Sequence, residues 1–156
     1  MRILSLDIST KSTGWCVLDS TGTVKNFGTW QADEKDFLER ARTMSSRVEE
    51  LIYLVRPDHV VIEELKVIRN QRTLTMLAIT QGMMIGQLAY NTPVHFVPPT
   101  VWRAHYGING KRTEAKQKAI SLCKTQLQLA VNNDDEADAI LLGKYFYNFL
   151  QKSVDK

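Results

Sequence analysis

The sequence predicts an α/β fold with five strands and five helices in the order βββαβαβααα. Two patterns support this prediction. Short apolar stretches bounded by turn residues are typical of strands, and apolar residues that recur every three or four positions are typical of amphipathic helices. With 156 residues, of which 44% are hydrophobic and 24% charged, the chain can bury a sizeable core. We therefore expect residues 1–156 to form a single domain.

The first half of the chain predicts four strands and two helices. Strands are expected at 2–8, 14–19 and 23–31, joined as an antiparallel meander. A long amphipathic helix runs from Phe37 to Val55, ends before Pro57, and is followed by a strand at 59–63. The next helix, 71–90, is apolar on more than one side, which predicts burial on two faces. Either the rest of its own domain covers it, or it forms a dimer interface.

The second half predicts one short strand at 93–97 and three helices. A short helix at 98–106 opens with Pro98 and Pro99, and longer helices follow at 112–127 and 134–150. There is no internal repeat, linker or low-complexity stretch, which favours a single unit.

Several classes of protein are disfavoured by composition. The N-terminal apolar stretch is too short and too acidic for a signal peptide, and no run approaches the roughly 18 apolar residues of a membrane span. We expect a cytoplasmic protein without membrane contact.

Cys16 and Cys123 lie far apart in sequence, so they predict neither a disulfide framework nor a zinc site and are expected to be buried. His59, His95 and His105 share no ligand spacing.

Four acidic positions are candidates for one metal site. Asp7 closes the first apolar strand, and Glu63, or its neighbour Glu64, follows the apolar triplet 60–62. Asp135 and Asp138 are three residues apart, so they share one face of the last helix. A buried carboxylate needs a cation, a positive side chain or water. Four oxygen donors suit Mg²⁺ or Mn²⁺ better than zinc.

The charge balance favours a polyanionic partner. The formal net charge is +3, but if four acids are assigned to a metal site, 20 basic residues remain against 13 acidic ones. This excess favours phosphate contacts and binding that weakens with salt. The basic residues fall into three groups, after the fourth strand, in the short helix and in the segment 111–118: Lys66, Arg69 and Arg72; Arg103 with His105; Lys111, Arg112, Lys116 and Lys118.

The acidic motifs resemble those of the RuvC-type Holliday junction resolvases, a family with a ribonuclease H-like fold. The resemblance covers Leu6-Asp7-Ile8 leading to Thr13-Gly14, Val61-Ile62-Glu63, and the run from Asp135 to Ile140. It implies a central mixed five-stranded sheet flanked by helices. It also implies a homodimer that resolves Holliday junctions, and other branched DNA such as flaps or forks, by paired nicks.

The same resemblance implies roles for individual residues. Asp7, Glu63, Asp135 and Asp138 would be both catalytic residues and ligands of two Mg²⁺ ions, for which Mn²⁺ can substitute. Lys116 would lie near the scissile phosphate, and Glu63 is favoured over Glu64. Independently of the resemblance, the charge pattern predicts DNA contacts at the Lys and Arg residues named above, and a solvated surface is the alternative for each group.

The chain departs from the cellular resolvases at two positions. Ile8-Ser9-Thr10 replaces a Gly-containing turn after the first aspartate, which suggests a distant, phage-type branch. Lys66 stands where those enzymes can carry an aromatic wedge, and a lysine contacts phosphates but does not stack on bases.

Three other functions remain as alternatives. One is an RNase H-type nuclease acting on RNA–DNA hybrids, and another is a branched-DNA-binding module without catalysis. The third is ATP binding, because residues 6–14 also resemble the phosphate-binding turn of the sugar kinase, actin and Hsp70 group. That group places two such lobes around its nucleotide, whereas 156 residues supply one.

Overall fold

The computed structural model describes residues 1–65 and 70–154. Its strands are β1 (Ile3–Ile8), β2 (Ser12–Leu18), β3 (Val24–Gln31), β4 (His59–Glu63) and β5 (Val94–Val97). Its helices are α1 (Phe37–Val55), α2 (Gln71–Ile85), α3 (Pro99–His105), α4 (Arg112–Thr125) and α5 (Asp134–Val154). The predicted order of elements is confirmed, and so are the bounds of α1 and β4.

The five strands form one mixed sheet in the order β3-β2-β1-β4-β5. The predicted meander is present, because β1 pairs antiparallel with β2 and β2 with β3. The remaining pairs, β1 with β4 and β4 with β5, are parallel. Leu6 lies opposite Ile62 in the β1–β4 pair, so the next residue of each strand, Asp7 or Glu63, emerges at the same edge of the sheet.

Helices cover both faces of the sheet. Alternate side chains of β1 point to opposite faces. Ile3 packs in a core with α5 and with residues of α3 and α4, whereas Leu4 packs in a second core with α1 and α2. Helix α5 lies close to the strands, and the Ser5 hydroxyl donates a hydrogen bond to the Ala139 carbonyl at 2.6 Å. Asp7, two residues after Ser5, therefore faces α5.

Helix α2 is shorter than predicted, and the rest of the chain buries one of its faces. It ends at Ile85, with Gly86 at its C-cap and turn structure beyond, instead of continuing to residue 90. Its buried residues are Thr80, Gln81 and Met84, so this chain covers one face. Ile79 is 39% exposed, and a side chain added at Gly82 would meet open space. Of the two predicted alternatives, cover by the rest of the domain is therefore not met within the described residues, and a dimer interface remains.

The helices of the described residues include none that is long and apolar enough to cross a membrane.

Candidate metal centre

Three elements bring the four predicted acids to one cavity. Asp7 comes from β1, Glu63 from the end of β4, and Asp135 and Asp138 from the first turns of α5. All four line a cavity of about 690 Å³, whose walls also include Arg103, Arg112 and Lys116. The predicted convergence of these side chains is therefore present in the fold.

Alternation along β4 distinguishes Glu63 from Glu64. Val61 packs in the same core as α5, and Glu63, two residues later, points to the same face. The Glu64 side chain is exposed and is not among the residues that line the cavity. Its backbone N–H donates to the Val97 carbonyl. The structure thus places Glu63, the residue favoured by the resemblance, beside Asp7.

Gly14 allows α5 to approach the acidic end of β1. It lies opposite Asp7 in the β1–β2 pair, and a Cβ added there would be 2.0 Å from the Asp135 carbonyl oxygen. Any other residue would push the start of α5 away from the sheet. Close packing at this point also lets the Ser12 hydroxyl donate a hydrogen bond to the Asp135 carboxylate, which fixes its orientation.

The remaining acids at the start of α5 have separate partners. Glu136 is buried and accepts a hydrogen bond from the Asn132 backbone N–H at 2.7 Å, so it closes the N-terminal turn of the helix. Asp134 forms an ion pair with Lys116 of α4. Lys116, predicted near the scissile phosphate, therefore contacts Asp134 while lining the cavity.

Arg103 and Trp102 contact the acids directly. The Arg103 guanidinium is 2.9 Å from an Asp138 carboxylate oxygen and 3.5 Å from a Glu63 carboxylate oxygen. The indole N–H of Trp102 donates to the same Glu63 oxygen at 2.9 Å. The sequence grouped Arg103 with His105 as a phosphate contact, not as a partner of the acids. Trp102 is fully buried. Only its position next to Arg103 in the sequence hinted at its hydrogen bond to Glu63.

The pKa values of two acids reflect their burial and, after it, the crowding of negative charge. Burial, followed by the charges of Glu63, Asp138 and Asp135, holds the pKa of Asp7 well above its ordinary value. Burial also raises the pKa of Asp138 to about 6, although Arg103 acts in the opposite direction. Raised pKa values are what placing four acids in one largely buried cavity should produce.

The donor set fits a hard divalent cation. Carboxylate oxygens are the ligands that Mg²⁺ and Mn²⁺ prefer, and a bound cation would offset the repulsion that raises the pKa of Asp7. Within residues 1–65 and 70–154, no group of three or more His, Cys, Asp or Glu side chains is already arranged at metal-binding positions. The four acids share the cavity, but Arg103 and Ser12 hold three of them in their present orientations.

The predicted DNA contacts are distributed unevenly. Arg103, Arg112 and Lys116 line the cavity. Lys111 is exposed at the N-cap of α4, and Lys118 donates to the Gly107 carbonyl nearby. Arg72 is exposed on the first turn of α2, and Lys66 and Arg69 fall outside the described residues.

The histidines and cysteines lie away from the cavity lining. His59 and His95 were predicted to be scattered, but Nδ1 of His59 is 3.2 Å from Nε2 of His95. The parallel pairing of β4 with β5, which the sequence does not specify, brings them together. Cys16 and Cys123 are buried as predicted, and burial raises the pKa of the Cys123 thiol to about 12.

Two solved resolvases share this fold. RuvC of T. thermophilus in complex with a Holliday junction substrate matches with a TM-score of 0.78 over 97% of this chain and 96% of that chain, at 16% identity. The Fowlpox virus resolvase, solved with Holliday junction DNA, matches with a TM-score of 0.64 over 96% of this chain and 99% of that chain, at 17% identity. The chain therefore has a ribonuclease H-like fold of the RuvC type.

Curated relatives extend the likeness to sequence. The crossover junction endodeoxyribonuclease RuvC of Orientia tsutsugamushi strain Ikeda is 27% identical over 146 residues, which are 90% of this chain and 91% of that protein. The corresponding enzyme of Ruegeria pomeroyi is 28% identical over 149 residues, 91% of this chain and 88% of that protein. These are distant homologues along nearly the whole chain, so the resemblance read from the acidic motifs is confirmed.

One family model agrees with the expectation of a phage-type branch. The model described as Lactococcus phage M3 protein matches residues 1–148, and those residues include all four acids. The chain belongs to the Lactococcus phage M3 protein family and has the fold of RuvC-type Holliday junction resolvases.

Proposed function

We propose that this protein is a metal-dependent endonuclease that resolves Holliday junctions, and other branched DNA such as flaps or forks, as a homodimer. The observation that carries the proposal is the convergence of Asp7, Glu63, Asp135 and Asp138 on one cavity with cationic walls. Residues 1–156 would act as one nuclease domain.

The acids would hold Mg²⁺, with Mn²⁺ able to substitute, and two ions per site agree with four carboxylates. When bound, the metal ions supply an activated water and neutralise charge on the phosphate. Burial and the charges of the other three acids raise the pKa of Asp7, so this carboxylate would gain a counter-charge as a ligand of the bound metal. Trp102 and Ser12 orient Glu63 and Asp135 through hydrogen bonds.

The cations of the cavity would position the DNA backbone. Arg112 and Lys116 lie on α4 along one wall, and Lys111 and Lys118 flank them in the same segment. Lys116 is half-exposed and pairs with Asp134, so a phosphate could replace that carboxylate as its partner. Such contacts position a backbone without reading its sequence.

The open face of α2 supports a homodimer. Thr75, Ala78, Ile79 and Gly82 recur at helical spacing on its exposed side. Small side chains on such a face allow a second helix to approach closely, and Ile79 adds apolar area. A dimer would give one active site per subunit and therefore two nicks per junction.

A cleavage panel tests the proposal. Labelled four-way junction, flap, linear duplex and RNA–DNA hybrid are incubated with Mg²⁺ and the wild type, Asp7→Asn or Asp33→Asn. Asp33 is an exposed acid on the loop before α1 and serves as the matched control. We expect paired nicks in the junction, a loss of more than about 100-fold in Asp7→Asn because a metal ligand is removed, and normal activity in Asp33→Asn.

Other outcomes of the panel would contradict the proposal. Cleavage of the hybrid alone would indicate an RNase H-type nuclease. Tight junction binding without cleavage of any substrate would indicate a binding module. Equal cleavage by Asp7→Asn and the wild type would mean that the acids of the cavity are not the catalytic centre.

A further inference from the structure

Arg103 lies between two acids of the candidate metal centre. Its Nη2 atom is 2.9 Å from Oδ2 of Asp138 and 3.5 Å from Oε2 of Glu63. The side chains of Asp138 and Glu63 are only 11% and 19% exposed, so the charges interact with little screening by water. The guanidinium therefore neutralises carboxylates that would otherwise repel each other.

Trp102 holds this arrangement from a third side. Its buried ring lies 4.9 Å from the guanidinium carbon of Arg103, and its indole N–H donates to Oε2 of Glu63, the same oxygen that faces Arg103. Both residues belong to α3, which begins two residues after β5 ends. The packing of one short helix thus places a fixed cation inside the acidic cluster.

We propose that Arg103 is an internal substitute cation that holds Glu63 and Asp138 in the metal-free protein and must leave them before both can bind metal. This inference rests on the proposed function. The carboxylate oxygens of Asp138 and Glu63 lie 2.9 and 3.5 Å from the Arg103 guanidinium. A divalent ion bound to the same carboxylates would repel the guanidinium at these distances. Arg103 is thus a positioning residue with a second state.

The cavity offers the released guanidinium a second partner. Arg103 lines the same cavity as Arg112 and Lys116, where a DNA phosphate is the anion that we expect, and guanidinium binds phosphate in a bidentate manner. Metal binding and DNA binding would therefore favour each other, because each stabilises the state in which Arg103 has left the acids. Without DNA, the metal competes with Arg103.

The test measures Mn²⁺ affinity in the absence of DNA, from the electron paramagnetic resonance signal of free Mn²⁺. The variants are Arg103→Gln, Arg103→Lys, Arg112→Gln and Asp7→Asn. Arg112 is the matched control, because it loses the same charge from the same cavity but forms no ion pair with any part of the chain that the structure describes. Asp7→Asn identifies binding at the proposed centre.

We expect Arg103→Gln to bind Mn²⁺ on the order of tenfold more tightly than the wild type, because a unit charge beside the site is removed. Arg112→Gln should stay within about twofold of the wild type, since Arg112 is exposed and solvent screens its charge. Arg103→Lys keeps the charge and should resemble the wild type. Adding junction DNA should tighten Mn²⁺ binding in the wild type more than in Arg103→Gln.

Equal affinity of Arg103→Gln and the wild type, or equal tightening by Arg112→Gln, would overturn the inference and leave the metal centre intact. Wild-type Mn²⁺ binding that Asp7→Asn does not weaken would instead count against the proposed function.

If Arg103→Gln does not fold, nuclear magnetic resonance of the wild type decides. Mg²⁺ should shift the indole N–H signal of Trp102 and speed solvent exchange of the Arg103 guanidinium protons, and an unchanged Arg103 signal at saturating Mg²⁺ would overturn the inference.

Discussion

At the scale of single residues, the candidate centre depends on hydrogen bonds that orient its acids. Asp7 could be selected from the sequence because it closes an apolar strand, whereas Glu63 and its neighbour Glu64 could be told apart only through the family resemblance. Asp135 and Asp138 could be selected from their helical spacing. The roles of Arg103 and Trp102 could not be foreseen, because they depend on where α3 packs after β5. A buried Trp and an exposed one look alike in a sequence.

Trp102→Phe tests the hydrogen bond that orients Glu63. The substitution keeps an aromatic ring but removes the indole donor, so we expect Mg²⁺-dependent junction cleavage to fall by about 10–100-fold, as for other residues that orient metal ligands. Trp30→Phe, in the stacked pair with Trp15 on strands β2 and β3, is the control and should retain activity. Equal rates in the two variants would mean that the indole does not orient Glu63.

The raised pKa values predict how the metal-free protein responds to pH. A folded state that holds protons more tightly than the unfolded state loses stability as pH rises. With a pKa of about 6 against 3.8, Asp138 alone should lower the free energy of unfolding by about 2–3 kcal/mol between pH 4 and pH 7. Urea denaturation in EDTA measures the total change, and Asp138→Asn should reduce it by about 2–3 kcal/mol while the contribution of Asp7, whose pKa is also raised, remains. An equal decrease in the variant would contradict the assignment.

At the scale of elements, most boundaries followed from local patterns. Helix α1 has a clear apolar stripe and a proline beyond its end, and its predicted bounds agree with the structure. Helix α2 was predicted too long, because the apolar residue Leu88 continues its stripe and packs against the core from a turn. Within the chain, one face of the helix is buried. Periodicity shows which residues are apolar but cannot show whether this chain or a second copy covers them.

Ile79→Asp tests α2 as the dimer interface. A charge placed on this exposed face of α2 would be buried without a partner in a dimer, so we expect the wild type to elute as a dimer and the variant as a monomer. Light scattering coupled to gel filtration gives both masses. Leu54→Asp on α1, where the residue is 75% exposed, is the control and should remain dimeric. A monomeric wild type, or loss of the dimer only in the control, would exclude this interface.

At the scale of the whole molecule, the sequence pattern gave the order of elements but not the pairing of β4 between β1 and β5. That pairing places Asp7 and Glu63 at one edge, and it also brings His59 beside His95. The close approach of α5 at Gly14 completes the cavity. Long-range register and helix packing of this kind depend on the whole core, so local sequence patterns could not predict them. The family resemblance implied the mixed sheet, and the structure shows its register.

Charge on the cavity side of the molecule predicts the salt dependence of DNA binding. Each phosphate contact releases counterions, so the logarithm of junction affinity should fall linearly with the logarithm of salt concentration. Removing one cation should reduce the slope by about 1, and we expect this for Lys111→Gln and Arg112→Gln in fluorescence anisotropy titrations with Ca²⁺ in place of Mg²⁺. Lys25→Gln, on strand β3, should leave the slope unchanged. Affinity that is independent of salt would contradict phosphate binding.

The central claim is that the four acids form one metal centre, and Mn²⁺ anomalous diffraction from soaked crystals tests it most directly. We expect anomalous peaks within ligand distance of the carboxylates of Asp7, Glu63, Asp135 and Asp138, and no such peaks in crystals of Asp7→Asn. Peaks only at other acidic sites, with the Arg103 ion pairs to Glu63 and Asp138 intact at saturating Mn²⁺, would contradict the claim.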